Sequence, residues 1–179
     1  SEFKKLGYTP IIFFDDPGIY SYGQSSAVGL SGDVISESLK YLSSLVKSAG
    51  GKAGIHACAG VDWSLVFKAD PNIVNVDVYS YFTSLLVYTE ELTHFLNNGG
   101  TLAWGLVPTG ESVEEESAEK LWSLFDKYCA ALATRGVPMH LLKKQWLLTP
   151  SCGAGTLDEY RTKLIYGLLK EMIDCRRGR

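Results

Sequence analysis

The chain reads as an α/β protein built on a parallel sheet. Five short apolar runs, at 10–15, 52–56, 72–77, 101–107 and 145–149, alternate with longer amphipathic segments. Each run is continuously apolar rather than alternating in polarity, as in strands buried on both faces. Most of the amphipathic segments stop at glycines. Strand followed by helix, repeated, is the mark of βα units and so of parallel pairing.

The first run carries Ile11, Ile12, Phe13 and Phe14 in succession. The Gly-, Ser- and Tyr-rich stretch 18–32 reads as one long βα loop. Over 31–49, the stripe Ile35, Leu39, Leu42, Leu45, Val46 and Ala49 predicts a helix, stopped by Gly50-Gly51. A shorter helix is expected at 63–68, and Leu85, Leu86, Leu92, Phe95 and Leu96 predict one helix over 81–98, before Gly99-Gly100. Leu121, Leu124, Phe125, Tyr128 and Leu132 predict a helix over 113–135, closed by Gly136. Its acidic start, Glu114-Glu115-Glu116, would complement the positive end of the helix dipole. Leu157, Tyr160, Leu164, Leu168 and Met172 predict a last helix over 156–175, while 1–6 reads as the end of a helix and 176–179 as a frayed terminus. No linker divides the chain, so residues 1–179 are expected to form a single domain. Five βα units suit either an open sheet or the later part of a closed eight-stranded barrel.

Composition excludes several function classes. Of 179 residues, 17 are Lys or Arg and 20 are Asp or Glu, for a net charge of −3, which supplies no field for gripping a phosphate backbone. Nucleic acid is not an expected partner. A hydrophobic share of 46% is enough for a core, yet no apolar run approaches the ~20 residues of a membrane helix. No signal-peptide pattern is visible, so the expectation is a soluble, cytoplasmic protein. Four cysteines, Cys58, Cys129, Cys152 and Cys175, do not make a disulfide scaffold at this length.

The chemistry gathers where strands end. Asp15-Asp16-Pro17 follows the first run, the second ends in His56-Ala57-Cys58, the third in Asp77, and the fifth leads into Ser151-Cys152-Gly153. In parallel α/β folds the carboxyl ends of all strands share one face, and that face holds the site. His56 and Cys58 are two residues apart, so on an extended strand both side chains point the same way. One metal ion could hold both, with Cys152 reaching in from another strand and Gly153 allowing a sharp turn beside it. Imidazole and sulfur together favour zinc. Asp77 is the natural fourth ligand, or a partner that orients His56. Cys129 and Cys175 fall inside predicted helices and read as packing residues, His94 as a helix-surface residue and His140 as a loop residue. Trp104, Trp122 and Trp146 read as core or near-core aromatics, and Trp63 as packing rather than as a pocket wall.

These pieces, in order, resemble the carboxyl-terminal part of the cobalamin-independent methionine synthase family, in the superfamily that also holds uroporphyrinogen decarboxylase. The matching stretches are Ile12-Phe13-Phe14-Asp15-Asp16-Pro17, His56-Ala57-Cys58, Val74-Asn75-Val76-Asp77, the strand from Gly99 to Thr109, and Thr149-Pro150-Ser151-Cys152-Gly153. The resemblance implies a partial (βα)8 TIM barrel comprising its last five parallel strands, each followed by a helix. It implies zinc held by His56, Cys58, Asp77 and Cys152. It also implies that Asp15 binds the amino group of a homocysteine-type substrate, with Asp16 beside it as a second substrate-binding position. The implied activity is S-methyl transfer, from a methylated folate or a corrinoid to a thiol such as homocysteine, as in 5-methyltetrahydropteroyltriglutamate–homocysteine methyltransferases. Several features depart from the family pattern and imply a divergent member, among them the strand with Trp104-Gly105-Leu106-Val107-Pro108-Thr109. The family's Asp-Glu-Pro is Asp15-Asp16-Pro17 here, and its zinc-binding Glu is the shorter Asp77. A barrel of five strands would leave two open edges. Self-association, or a separate amino-terminal barrel half, is the expected remedy. The alternatives are a catalytically incomplete barrel that binds a metal or a partner, and a uroporphyrinogen decarboxylase-like lyase.

Overall fold

The computed structural model describes residues 2–15, 19, 22 and 31–177. Five strands, β1 (Ile11–Asp15), β2 (Lys52–Ala57), β3 (Ile73–Val76), β4 (Thr101–Val107) and β5 (Trp146–Pro150), form one sheet. Their spatial order is β1-β2-β3-β4-β5 and every neighbouring pair is parallel. Parallel strands laid down in chain order, each followed by helix, make the wall of a βα barrel, and the fold is a five-stranded part of one. Each strand lies within two residues of its predicted bounds.

The register sorts the strand residues onto two faces. Ile55, Ala57, Val74, Val76, Leu102, Trp104 and Leu106 belong to one continuous core that they share with helix residues such as Leu39, Leu92, Leu121, Phe125 and Ile165. The opposite face carries Asp15, His56, Asn75 and Ala103 at one level, matched strand to strand. Below them lie Phe13, Gly54 and Ile73. Phe13, Ile73, Ala103 and Leu147 stand outside the helix-backed core. This second face is the barrel's inner side, and its upper rim is where the strands end.

The helices pack on the core side. A short turn, α1 (Glu2–Lys5), precedes β1. Helix α2 (Gly32–Ser48) starts at Ser31, whose hydroxyl accepts from the Val34 amide at 3.2 Å, and stops before Gly50, whose φ of +79° suits glycine. Helix α3 (Trp63–Lys68) is capped by Asp62. The single helix expected over 81–98 is two, α4 (Val78–Leu85) and α5 (Thr89–Asn97). The apolar residues on either side of the break keep helical spacing, so periodicity does not register it.

The acidic cluster does not open a helix. A 3-10 turn covers Glu111–Glu115, and α6 (Ala118–Ala133) begins after Ser117, whose hydroxyl accepts from the Lys120 amide. Arg161 of the last helix, α8 (Glu159–Arg177), pairs with Glu114 at 3.3 Å and Glu111 at 3.5 Å. Tyr79 donates to Glu116 at 2.8 Å. These carboxylates tie α4 and α8 to the turn instead of complementing a dipole. A short helix without a predicted counterpart, α7 (Met139–Lys144), places His140 on a helix rather than in a loop, where it is exposed. Apart from Ile19 and Tyr22, the long loop expected from residue 18 lies outside the described residues up to Ser31. No helix among the described residues is long and apolar enough to cross a membrane.

Candidate metal centre

His56 is the fifth residue of β2, and Cys58 follows the end of that strand. Cys152 lies two residues beyond β5. The Ser151 amide donates to the Val107 carbonyl at 2.8 Å. Its buried hydroxyl accepts from the Thr109 amide at 3.2 Å and sits 3.1 Å from the Thr109 hydroxyl. These contacts fasten the Cys152 turn to the end of β4. The outcome is a three-residue group in which a ligand atom from each of His56, Cys58 and Cys152 lies within 4.8 Å of the other two. This cluster could hold a metal ion.

A second observation bears on whether a metal fits. Both ring nitrogens of His56 are buried, and neither has a hydrogen-bond partner among the described residues. Buried polar atoms are normally paired, and leaving one unpaired costs about 1–3 kcal/mol. A metal ligand on one ring nitrogen would remove that cost. The cysteines add electrostatic crowding. The Cys58 thiol is pushed above its usual range, by partial burial of the sulfur first, then by the Cys152 thiol beside it, with a smaller push from Asp77. A thiol held in its neutral form by burial and by acidic neighbours is one that a cation would help to ionise.

Asp77 sits outside the three-residue group. It is buried, and its Oδ1 accepts from the Ser80 amide at 2.9 Å, making it the cap of α4. Burial pushes its carboxyl up, while hydrogen bonds from Ser80 and the charge of His56 pull it partway back. It is therefore near enough to His56 and Cys58 to act on both through charge. Asp15 is exposed on β1, in register with His56 on the same face. Asp16 lies outside the described residues.

Three positions that shape the site carry little sequence signal. Asn75, buried and in register with His56, donates to the Ala103 carbonyl at 2.9 Å and to the Thr149 hydroxyl at 2.8 Å, bracing β3 against β4 and β5. An Asn inside an apolar run was the available hint. Ser151 shows nothing in sequence beyond adjacency to Cys152. Gly105 lies against the backbone at the end of β5. A Cβ there would stand 2.7 Å from the Val76 carbonyl oxygen and 2.9 Å from the Ser151 Cα. Gly153, by contrast, has open space around it and no left-handed φ, and the close backbone approach at this strand end is made at Gly105.

Other residues hold structural places. Trp63 is fully buried and donates to the Ser84 hydroxyl at 2.9 Å. Trp104 is in the core, and Trp122 and Trp146 pack edge to face beside it. Cys129 is buried in α6, Cys175 is half-buried in α8, and His94 is exposed on α5. A cavity of about 660 Å³ opens at the opposite ends of the strands, between Asn72 and Gly100, away from the cluster. No protein-family model matches the chain, and neither does any curated protein.

Proposed function

We propose that the protein is a zinc-dependent S-methyltransferase acting on a thiol of the homocysteine type, with a methylated folate or a corrinoid as donor. The observation that carries this reading is the meeting of one imidazole and two sulfurs, from strands far apart in sequence, around unpartnered His56 nitrogens. Three protein donors with a free fourth position are the layout of reactive zinc sites, and two sulfurs with one nitrogen suit zinc over harder ions. Bound there, zinc supplies the positive charge that lets a thiol shed its proton near neutral pH, where a free thiol of pKa about 8.5 mostly keeps it.

The chain's own groups do the rest. His56 binds metal in its neutral form. Asp77 holds the start of α4 and sets a negative charge beside the imidazole. Asp15, on the same face and level as His56, takes the ammonium group of an amino-acid thiol in this reading and so fixes its sulfur toward the cluster. Asp16 is the neighbouring substrate position. The strand ends offer acids, sulfur and imidazole rather than Arg or Lys, which speaks against a lyase acting on a polycarboxylate. A non-catalytic metal- or partner-binding module is the second reading. It is favoured by the exposure of Ile11 and Phe13 on edge strand β1 and of Leu147 on edge strand β5. Either reading has the open edges covered by a further copy or by an amino-terminal barrel half.

Elemental analysis with methyl-transfer assays tests the proposal. Stoichiometric zinc is expected in the wild type and not in Cys152→Ala, together with methylation of homocysteine from methyltetrahydrofolate or methylcobalamin. Protein that takes up no zinc after supplementation removes the proposal. Zinc uptake without transfer selects the binding module.

A further inference from the structure

We propose that Cys58 and Cys152 are a peroxide-sensitive thiol pair that closes to a disulfide and thereby withdraws two of the three metal donors. The geometry carries it. The two sulfurs already lie within 4.8 Å, and a disulfide needs about 2.05 Å. Both cysteines sit in bends beyond the ends of β2 and β5, outside the sheet ladder. Cys58 is exposed and so open to a small oxidant, while Cys152 is half-buried. The remaining cysteines contrast with this pair. Cys129 is fully buried and Cys175 is on the last helix, and neither belongs to the group.

The oxidant is a hydroperoxide. The Cys58 sulfur attacks one peroxide oxygen, the O–O bond breaks, and water or an alcohol leaves. Cys58 is then a sulfenic acid. The Cys152 sulfur attacks it, the S–O bond breaks, a second water leaves and the S–S bond forms. Two thiols lose two electrons and two protons, and the peroxide gains both. A thiol reductant reverses the change by exchange. A disulfide sulfur is not a thiolate donor, so the closed pair leaves His56 alone. This consequence rests on the zinc reading above, whereas the disulfide itself rests only on the position of the sulfurs.

The experiment treats metal-free and zinc-loaded full-length protein with hydrogen peroxide and maps the peptides by mass spectrometry. The expected product is a peptide containing Cys58 joined to one containing Cys152, lighter by two hydrogen atoms than their sum, with Cys129 and Cys175 still free. Dithiothreitol separates them, and an unchanged circular dichroism spectrum shows that the fold persists. The oxidised protein takes up no zinc until reduced, and the zinc-loaded protein reacts more slowly. Cys58→Ser forms no joined peptide. Reduced cysteines throughout, or separate oxidation of Cys58 to sulfinic acid with no joined peptide, overturns the proposal. A joined peptide in a protein that never binds zinc supports the disulfide and defeats the zinc reading. Zinc uptake with no joined peptide does the reverse.

Discussion

The ligand atoms of Cys58 and Cys152 lie within 4.8 Å of each other, although one follows the second strand of the sheet and the other the fifth. Three strand-to-strand steps in a flat sheet span about 14 Å. The sulfurs meet because the sheet curls toward its inner face, as the wall of a barrel does. The site is thus a product of barrel curvature, and whatever sets that curvature sets the metal geometry.

Gly105 is one such determinant. The register between β4 and β5 shifts between Gly105 and Val107, and the β5 backbone closes onto Gly105 there. The atoms a Cβ would meet are backbone, so they cannot swing aside. Gly105→Ala is expected to cost about 1–3 kcal/mol, as overpacking does, and to move Cys152 outward. Urea unfolding with zinc retention on dialysis checks both effects. A variant that keeps wild-type stability and zinc would show that the strand end yields freely.

Ser151 holds the same turn by hydrogen bonds instead of by fit. Its hydroxyl serves the Thr109 amide, and Ser151→Ala leaves that amide without its acceptor. The expected cost is about 1 kcal/mol in stability. Groups that orient a ligand commonly weigh about 10–100-fold on metal affinity, so zinc binding should weaken more than folding does. Titration of zinc against a competing chelator measures it. Unchanged affinity would mean that Cys152 finds its place without the anchor.

Asp77 separates two roles. As a helix cap it can be replaced by Asn, whose amide oxygen accepts the same Ser80 hydrogen bond, whereas Asp77→Ala should cost about 1 kcal/mol. Asn also removes a buried charge that burial has already pushed toward its protonated form. Asp77→Asn is therefore expected to match or slightly exceed wild-type stability and to keep stoichiometric zinc. Loss of zinc from Asp77→Asn, with folding intact, would instead identify Asp77 as the fourth ligand.

The elements whose signals are local were legible in the sequence. Continuous apolar runs placed all five strands, and Ser31 with Gly50 bounded α2, because caps and stops act within a turn of the helix they limit. The convergence of His56, Cys58 and Cys152 was legible too, since parallel strands put their carboxyl ends on one face whatever the residues between them. The break at Leu86 to Tyr88 was not, because both flanking helices keep the same apolar spacing across it. Nor was the role of Glu114 and Glu116. It depends on Arg161 and Tyr79, which only folding brings near. Asp77 shows the limit most clearly. Its position at a strand end matches a ligand, yet the same position makes it the cap of the helix that follows.

Cys129 supplies a test of the core. Burial in α6 pushes its thiol from 9.0 up to about 11, partly offset by Lys143. The folded state therefore keeps a proton that the unfolded chain releases once pH passes the ordinary thiol value. Between those two values the unfolded state binds fewer protons, so stability falls as pH rises and levels off above the folded value. Cys129→Ala loses packing at every pH but has no thiol to titrate. Urea unfolding at about pH 8 and about pH 10.5 should show the wild type's advantage over the variant shrinking at the higher pH. Parallel losses in the two proteins would mean that the Cys129 thiol ionises as readily in the fold as outside it, and that α6 does not seal it from water. The same seal predicts that a thiol reagent labels Cys58 in the native protein at neutral pH and leaves Cys129 unmodified until the chain is unfolded.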